Sequence, residues 1–268
     1  MHCRPSRGTA PIFWLLAAAA LPAAGPEGDD LAGYRTRETQ GWRVYVSEAL
    51  IASQKADLEV ALALLDKQLA EIVKVVPAPA VAELRKTPLW FSPEYPGVPP
   101  RAEFHPDVGW LRTNGRNPDM AKGVEFTNVR IFAEETNRMP NFVLHELAHA
   151  YHFRVLGRDR DDVIAAYERA KAANLYGRVE RHHGNGRPNT FEAAYAMTDP
   201  AEYFAETTEA YFCRNDFFPF TREELHAHDP RMFAVLTEAW GTKPVPTTGV
   251  NRPPRIERSS GAGPERRP

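Results

Sequence analysis

His145, Glu146 and His149 form the pattern H-E-x-x-H, two imidazoles four residues apart with a carboxylate beside the first. On a helix, residues at that spacing differ by about 40° in direction and about 6 Å in height, so both rings reach one ion on one face. Glu146 lies next to them, free to accept a proton from a water held by that ion, which is the division of labour in zinc hydrolases. The surrounding run predicts a helix over residues 137–157. Pro140 suits its first turn, Leu144, Leu147, Ala148 and Tyr151 make an apolar stripe, and Gly157 suits its stop.

A hydrolytic zinc site takes three protein ligands and leaves one position open, so the chain must supply another donor. The H-E-x-x-H-x-x-G-x-x-H pattern is excluded, because its glycine and third histidine fall on His152 and Val155. Downstream, Asp199-Pro200-Ala201-Glu202-Tyr203-Phe204-Ala205-Glu206 reads as the first turns of a second helix, with Thr198 or Asp199 as its cap and Pro200 in its first turn. Glu202 and Glu206 share a face of that helix. One can bind the ion while the other hydrogen-bonds a ligand histidine.

With these two segments in place, the chain resembles the zincin metallopeptidases whose third ligand is a glutamate, in particular the branch of anthrax lethal factor and the Pro-Pro endopeptidases. The resemblance runs over residues 123–212. It implies that Glu202 is the ligand, that Glu206 is its outer partner, and that Tyr195, seven residues before the ligand, turns its hydroxyl toward the oxyanion. It also implies one Zn2+ ion, a peptide or protein substrate and an α+β zincin-like fold. The upper lobe, to about residue 157, would hold a small mixed sheet and the site helix; residues 158–241 would form a mostly helical lower lobe. In such folds the strand beside the cleft runs along the substrate and pairs with it. Residues 123–132, with Val124, Phe126, Val129 and Ile131 in rough alternation, are expected to be that edge strand.

Two other readings of the same residues are a zinc-binding module without activity, which the intact Glu146 argues against, and a zinc hydrolase acting on non-peptide bonds. A purely structural ion would fill its positions with thiolates and imidazoles, and near the motif only Cys213 offers a thiol.

The elements that must position these groups are legible to different degrees. Trp42-Arg43-Val44-Tyr45-Val46 alternates as a strand, and Leu58, Leu62, Leu65, Leu69, Ile72 and Val76 step by three and four along a helix over residues 54–76 whose stripe must be buried. A short helical piece follows at residues 80–85 and a strand at residues 87–91. Residues 92–119, rich in Pro and Gly, suggest irregular loops tied to short strands. An amphipathic helix is expected over residues 161–175, and His182-His183-Gly184-Asn185-Gly186 reads as a solvated turn between strands. Thr221-Arg222-Glu223-Glu224 is a capping box, and Asp229-Pro230 opens a last helix that runs to Trp240. His152 could line the cleft; His226 and His228 have no expected site role.

The whole chain has 268 residues, 43% of them hydrophobic, and a formal charge of -2, enough for one substantial core and without the basic field that nucleic-acid binding needs. Residues 1–24 carry Arg4 and Arg7, the apolar run Ile12-Phe13-Trp14-Leu15-Leu16 and small residues near Ala24, the pattern of a secretory signal. Its apolar stretch is short for a membrane span, so a secreted or periplasmic monomer with no stable membrane insertion is expected after cleavage. Cleavage would remove Cys3 and leave Cys213 without a disulfide partner. Residues 242–268, rich in Pro and Arg, are expected to form a disordered tail.

Overall fold

A computed structural model describes residues 31–242. The expected signal at residues 1–24 and, save Thr242, the expected tail lie outside the described residues.

The chain opens with a hairpin, β1 (Tyr34–Thr39) and β2 (Trp42–Ser47), turned through Gln40 and Gly41, both at positive φ. Such a two-residue turn matches the twist of the strands it joins. Then come α1 (Glu48–Ser53), the long α2 (Lys55–Val75), α3 (Ala78–Leu84), β3 (Leu89–Phe91), β4 (Ala102–Phe104) and α4 (Val108–Thr113). The helix α4 is capped by Asp107, whose carboxylate accepts from the Trp110 N–H at 2.7 Å. It interrupts a stretch in which only loops and strands are expected.

Next are β5 (Val124–Phe126), a 3-10 turn Val129–Ile131, α5 (Phe132–Arg138) and α6 (Phe142–Tyr151), which continues as a π-helical turn, His152–Leu156. The remaining elements are α7 (Asp161–Ala172), the hairpin β6 (Val179–Arg181) and β7 (Thr190–Glu192), α8 (Pro200–Phe212), α9 (Arg222–His228) and α10 (Pro230–Ala239). The fold is therefore a mixed α+β arrangement with a small sheet and many helices. Among the described residues no helix is long and apolar enough to cross a membrane.

The main sheet has five strands in the order β1-β2-β3-β5-β4, with β2, β3 and β5 parallel and the outer two antiparallel to their neighbours. This corrects the expected edge strand. Only Val124–Phe126 of residues 123–132 is extended, and it lies inside the sheet between β3 and β4; the edge strands are β1 and β4, and the one next to β5 is β4. The apparent alternation mixes three local structures, since Val124 and Phe126 are on β5, Val129 and Ile131 belong to the 3-10 turn and Phe132 opens α5.

One face of this sheet meets the helices. Val44, Val46, Leu89, Phe91, Val124 and Phe126 pack with Leu58, Leu65, Leu69 and Ile72 of α2 and with Leu144, Leu147 and Ala148 of α6. At about 1.5–3 kcal/mol for each large apolar side chain taken out of water, this layer is what holds α6 under the sheet. Buried Gln68 fixes the start of α6: its Oε1 accepts the Val143 N–H at 3.1 Å, and its backbone carbonyl accepts from Asn141 Nδ2 at 3.2 Å. Asn141, not Pro140, begins that helix, because its side chain accepts the Leu144 N–H at 3.2 Å. Pro140 falls in the link between α5 and α6.

Candidate active site

The helices α6 and α8 pack side by side and supply all the groups that converge. His145 Nε2 is 3.1 Å from His149 Nε2 and 3.1 Å from Glu202 Oε2, and His149 Nε2 is 3.2 Å from the same oxygen. Glu202 is held in the first turn of α8 by Asp199, whose Oδ1 accepts the N–H groups of Ala201 at 2.7 Å and Glu202 at 3.0 Å. Of the alternatives Thr198 and Asp199, it is Asp199 that caps the helix, with Pro200 next to it.

Three donor atoms at such mutual distances suit one small cation. Ligands at about 2.0–2.1 Å from a tetrahedral ion lie about 3.3–3.4 Å from one another, close to this triangle. The tautomer also fits. His145 Nδ1 lies 2.8 Å from Glu209 Oε1, so Nδ1–H donates to that carboxylate and Nε2 presents its lone pair to the triangle. Two imidazoles and one carboxylate with a fourth direction open to a cleft are the donor set that zinc accepts in hydrolases.

The carboxylate behind His145 is not the one expected. Glu206 Oε1 is 3.9 Å from His145 Nδ1, beyond a hydrogen bond, and its other oxygen accepts from Asn215 Nδ2 at 3.0 Å. Glu209, fully buried, takes the contact because it is seven residues beyond Glu202 and returns to within about 20° of its direction on the helix. That third carboxylate on the Glu202 face was readable in the sequence as the continuation of a four-and-three step.

Burial, together with the charges of Asp216 and Glu209, raises the Glu206 pKa, and burial raises that of Glu209 despite the opposing His145. Burial opposes ionisation of Glu202, but its contacts with His145 and His149 outweigh this and hold it well below the usual carboxylate range. Burial likewise disfavours charging His145, while Glu202 and Glu209 outweigh it and raise its pKa.

Glu146 lines the same cleft as His145, His149 and Glu202. Its Oε2 accepts the Phe104 N–H of β4 at 2.8 Å, which ties the carboxylate to the edge strand. Tyr195, about half exposed, lies in a 3-10 turn before α8 and donates its hydroxyl to Glu202 Oε1 at 3.3 Å. These groups border a cleft of about 560 Å³ that also touches Phe104, Met139, Phe142, Phe153 and Phe217. One wall is polar: Arg138 donates to Asp216 at 2.5 Å and to Glu135 at 2.7 Å, and Arg181 donates to Asp216 at 3.3 Å.

His152 borders the cleft but is buried, its ring tilted against Phe204 at 4.8 Å between centroids, and its Nε2 has no hydrogen-bond partner. Burial and the nearby His149 bring its pKa down to about 4. His182 and His183 lie away from the triangle on the β6–β7 hairpin, contacting Asn189 at 3.2 Å and Thr190 at 2.8 Å. The Cys213 thiol, half-buried just after α8, has its pKa pushed up to about 12 by burial.

No protein-family model matches the chain, and no curated protein matches it in sequence. Among solved structures, the Pro-Pro endopeptidase from Paenibacillus alvei is similar over 67% of this chain and 89% of its own, at 17% identity and a TM-score of 0.40. At that distance the site must be interpreted from its own geometry.

Proposed function

We propose that this protein is a zinc-dependent metallopeptidase of the zincin type. The observation that carries the proposal is the triangle of His145 Nε2, His149 Nε2 and Glu202 Oε2 beside the Glu146 carboxylate, at the floor of a cleft. His145, His149 and Glu202 would hold the ion, and Glu209 would keep His145 in the binding tautomer. Bound zinc supplies a Lewis acid that polarises a carbonyl and acidifies water. Glu146 is the general base: with Oε2 held by Phe104 N–H, its Oε1 is left to take the proton from water and return it to the leaving amine. Tyr195 would move its hydroxyl from Glu202 to the oxygen of the scissile carbonyl as charge develops there.

The substrate is a peptide or protein segment in extended form. Arg101 and His105 turn their backbone groups toward the β5 side, through bonds to Thr127, Gly123 and Lys122, so Ala102 and Phe104 present theirs to the open edge. With the Phe104 N–H engaged by Glu146, the Ala102 N–H and C=O and the Phe104 C=O are the groups left for pairing. Export from the cytoplasm belongs to the same proposal and rests on the pattern in residues 1–24, as does the monomeric state on the chain's ordinary size and composition.

The test pairs metal analysis of the purified protein with cleavage-site mapping on a proteome-derived peptide mixture. One zinc per chain and cleavage of extended peptides are expected. Glu146→Gln should keep the zinc and lose roughly 10²–10⁴-fold in turnover, the usual contribution of a general base. Full activity in that variant, or a chain that binds no zinc, would overturn the proposal.

A further inference from the structure

The back of the sheet carries a second cluster of charged groups. In the antiparallel register of β4 and β5, Glu103 stands opposite Glu125, and like charges directly opposite one another push strands apart. Glu125 is fully buried. The guanidinium of buried Arg116 answers both carboxylates, with Nη1 2.6 Å from Glu125 Oε2 and Nη2 3.4 Å from Glu103 Oε2. It lies over the Tyr95 ring at 3.8 Å, while the Tyr95 hydroxyl donates to Glu125 Oε1 at 2.8 Å and His105 Nε2 contacts Glu125 Oε2 at 2.9 Å. Burial opposes ionisation of Glu125, but the contacts with His105 and Tyr95 help to outweigh it and its pKa is lowered. Glu103, His105 and Glu125 bring donor atoms together as a metal site would. The cation shared by Glu103 and Glu125 is the side chain of Arg116, while Arg101 adds a longer contact to Glu103 alone, Nη1 to Oε1 at 3.6 Å.

The same short strand reaches the cleft. β4 has three residues, is hydrogen-bonded along one side only, and through Phe104 N–H holds the Glu146 carboxylate at 2.8 Å on its free side. An edge strand this short is anchored from its β5 side alone, and a misplacement of about 1 Å at a reacting group costs about 10²-fold in rate.

We infer that Arg116 is a positioning residue for Glu146: by bridging Glu103 and Glu125 it locks β4 onto β5, so that Phe104 N–H holds the base at the cleft. The inference rests on the role proposed above for Glu146. It extends the working parts of the protein to the far face of the sheet, to Arg116 and Glu125, which do not line the cleft.

Amide hydrogen exchange on the zinc-loaded full chain tests it without relying on turnover. The Phe104 amide reports the Glu146 contact, and the Val124 amide, bonded to Pro88 O at 2.9 Å, reports the sheet itself. Arg116→Met alone would strand Glu125, so the variants are Glu103→Gln and the pair Arg116→Met with Glu125→Gln, with Arg116→Lys as the conservative partner. In the first two, Phe104 should exchange about tenfold faster while Val124 is unchanged, and kcat should fall about tenfold with KM and zinc content retained. Arg116→Lys should recover part of both. Equal acceleration at Phe104 and Val124, or none at either, overturns the inference. If the wild-type chain cleaves no peptide, the role given to Glu146 falls on its own; a change confined to Phe104 would still uphold the link from Arg116 to Glu146, and its absence would refute it.

Discussion

A ligand imidazole binds well only when its remote nitrogen is held, and for His145, in the role proposed for it, the group in place to hold it is Glu209. The Nδ1–Oε1 contact of 2.8 Å fixes both the tautomer and the ring plane, and the fully buried carboxylate makes the imidazole a stronger donor. Glu209→Gln should therefore weaken zinc binding about 10–100-fold, measured by competition with a chromophoric chelator, whereas Glu206→Gln should leave affinity nearly unchanged because Glu206 is 3.9 Å from the ring. Equal losses in the two variants would mean that the buried carboxylates act only as a block of negative charge. The convergence of His145 and His149 was legible in the sequence because helix geometry alone brings positions four apart to one face. Glu209 was legible in the same way, as the continuation of the four-and-three step from Glu202 and Glu206 along α8. Glu146 was legible as a carboxylate beside the histidines, yet its partner, the Phe104 N–H, was not: that contact joins a helix to a strand 42 residues earlier and has no local signature.

Among the elements, α8 shows how a cap becomes a site feature. Asp199 accepts the N–H of Glu202 itself, so the residue that starts the helix also sets the backbone from which the third donor projects. Asp199→Ala should cost about 1 kcal/mol, a typical loss for a cap. For a domain of this size that is a fall of about 2–4 °C in Tm, read by thermal denaturation of the zinc-free protein. No fall would show that Pro200 and the packing of α8 hold the turn unaided. The long helices and their caps were readable because periodicity over many residues and a side chain accepting a nearby N–H are local properties, as at α2, Asp199, Thr221 and Asp229. The three-residue strands were not. β3, β4 and β5 are too short to carry a period, and pairing across the sheet, not local pattern, decides which of them is the edge. The approach of β4 to the free side of β5 moved that role some twenty residues up the chain from where alternation suggested it.

At the scale of the molecule, the candidate site joins two parts of the chain that are also held by packing and by polar contacts such as Arg138–Asp216 and Tyr151–Ala239. His145 and His149 belong to the helix under the sheet, whereas Glu202 comes from the helical half, 57 residues after His145. An ion that binds all three only when the halves are docked must stabilise the fold by mass action, by about 2.7 kcal/mol when free zinc is 100 times Kd. With about 2–4 °C per kcal/mol for a chain this long, zinc should raise Tm by roughly 5–10 °C, and chelation should reverse it. Glu202→Ala should abolish most of the shift by removing one corner of the triangle, while Glu146→Gln should retain it, since that carboxylate is engaged with Phe104 and not with the donors. The rival account of the same coordinates is an ion cluster in which a protonated His145 lies between Glu202 and Glu209 with no metal at all. That account predicts a Tm indifferent to zinc and to chelator, and loss of stability in Glu202→Ala whether or not zinc is present. The two-by-two comparison of wild type and Glu202→Ala, with and without zinc, therefore separates a metal that clamps the halves from carboxylates that merely neutralise a buried imidazolium.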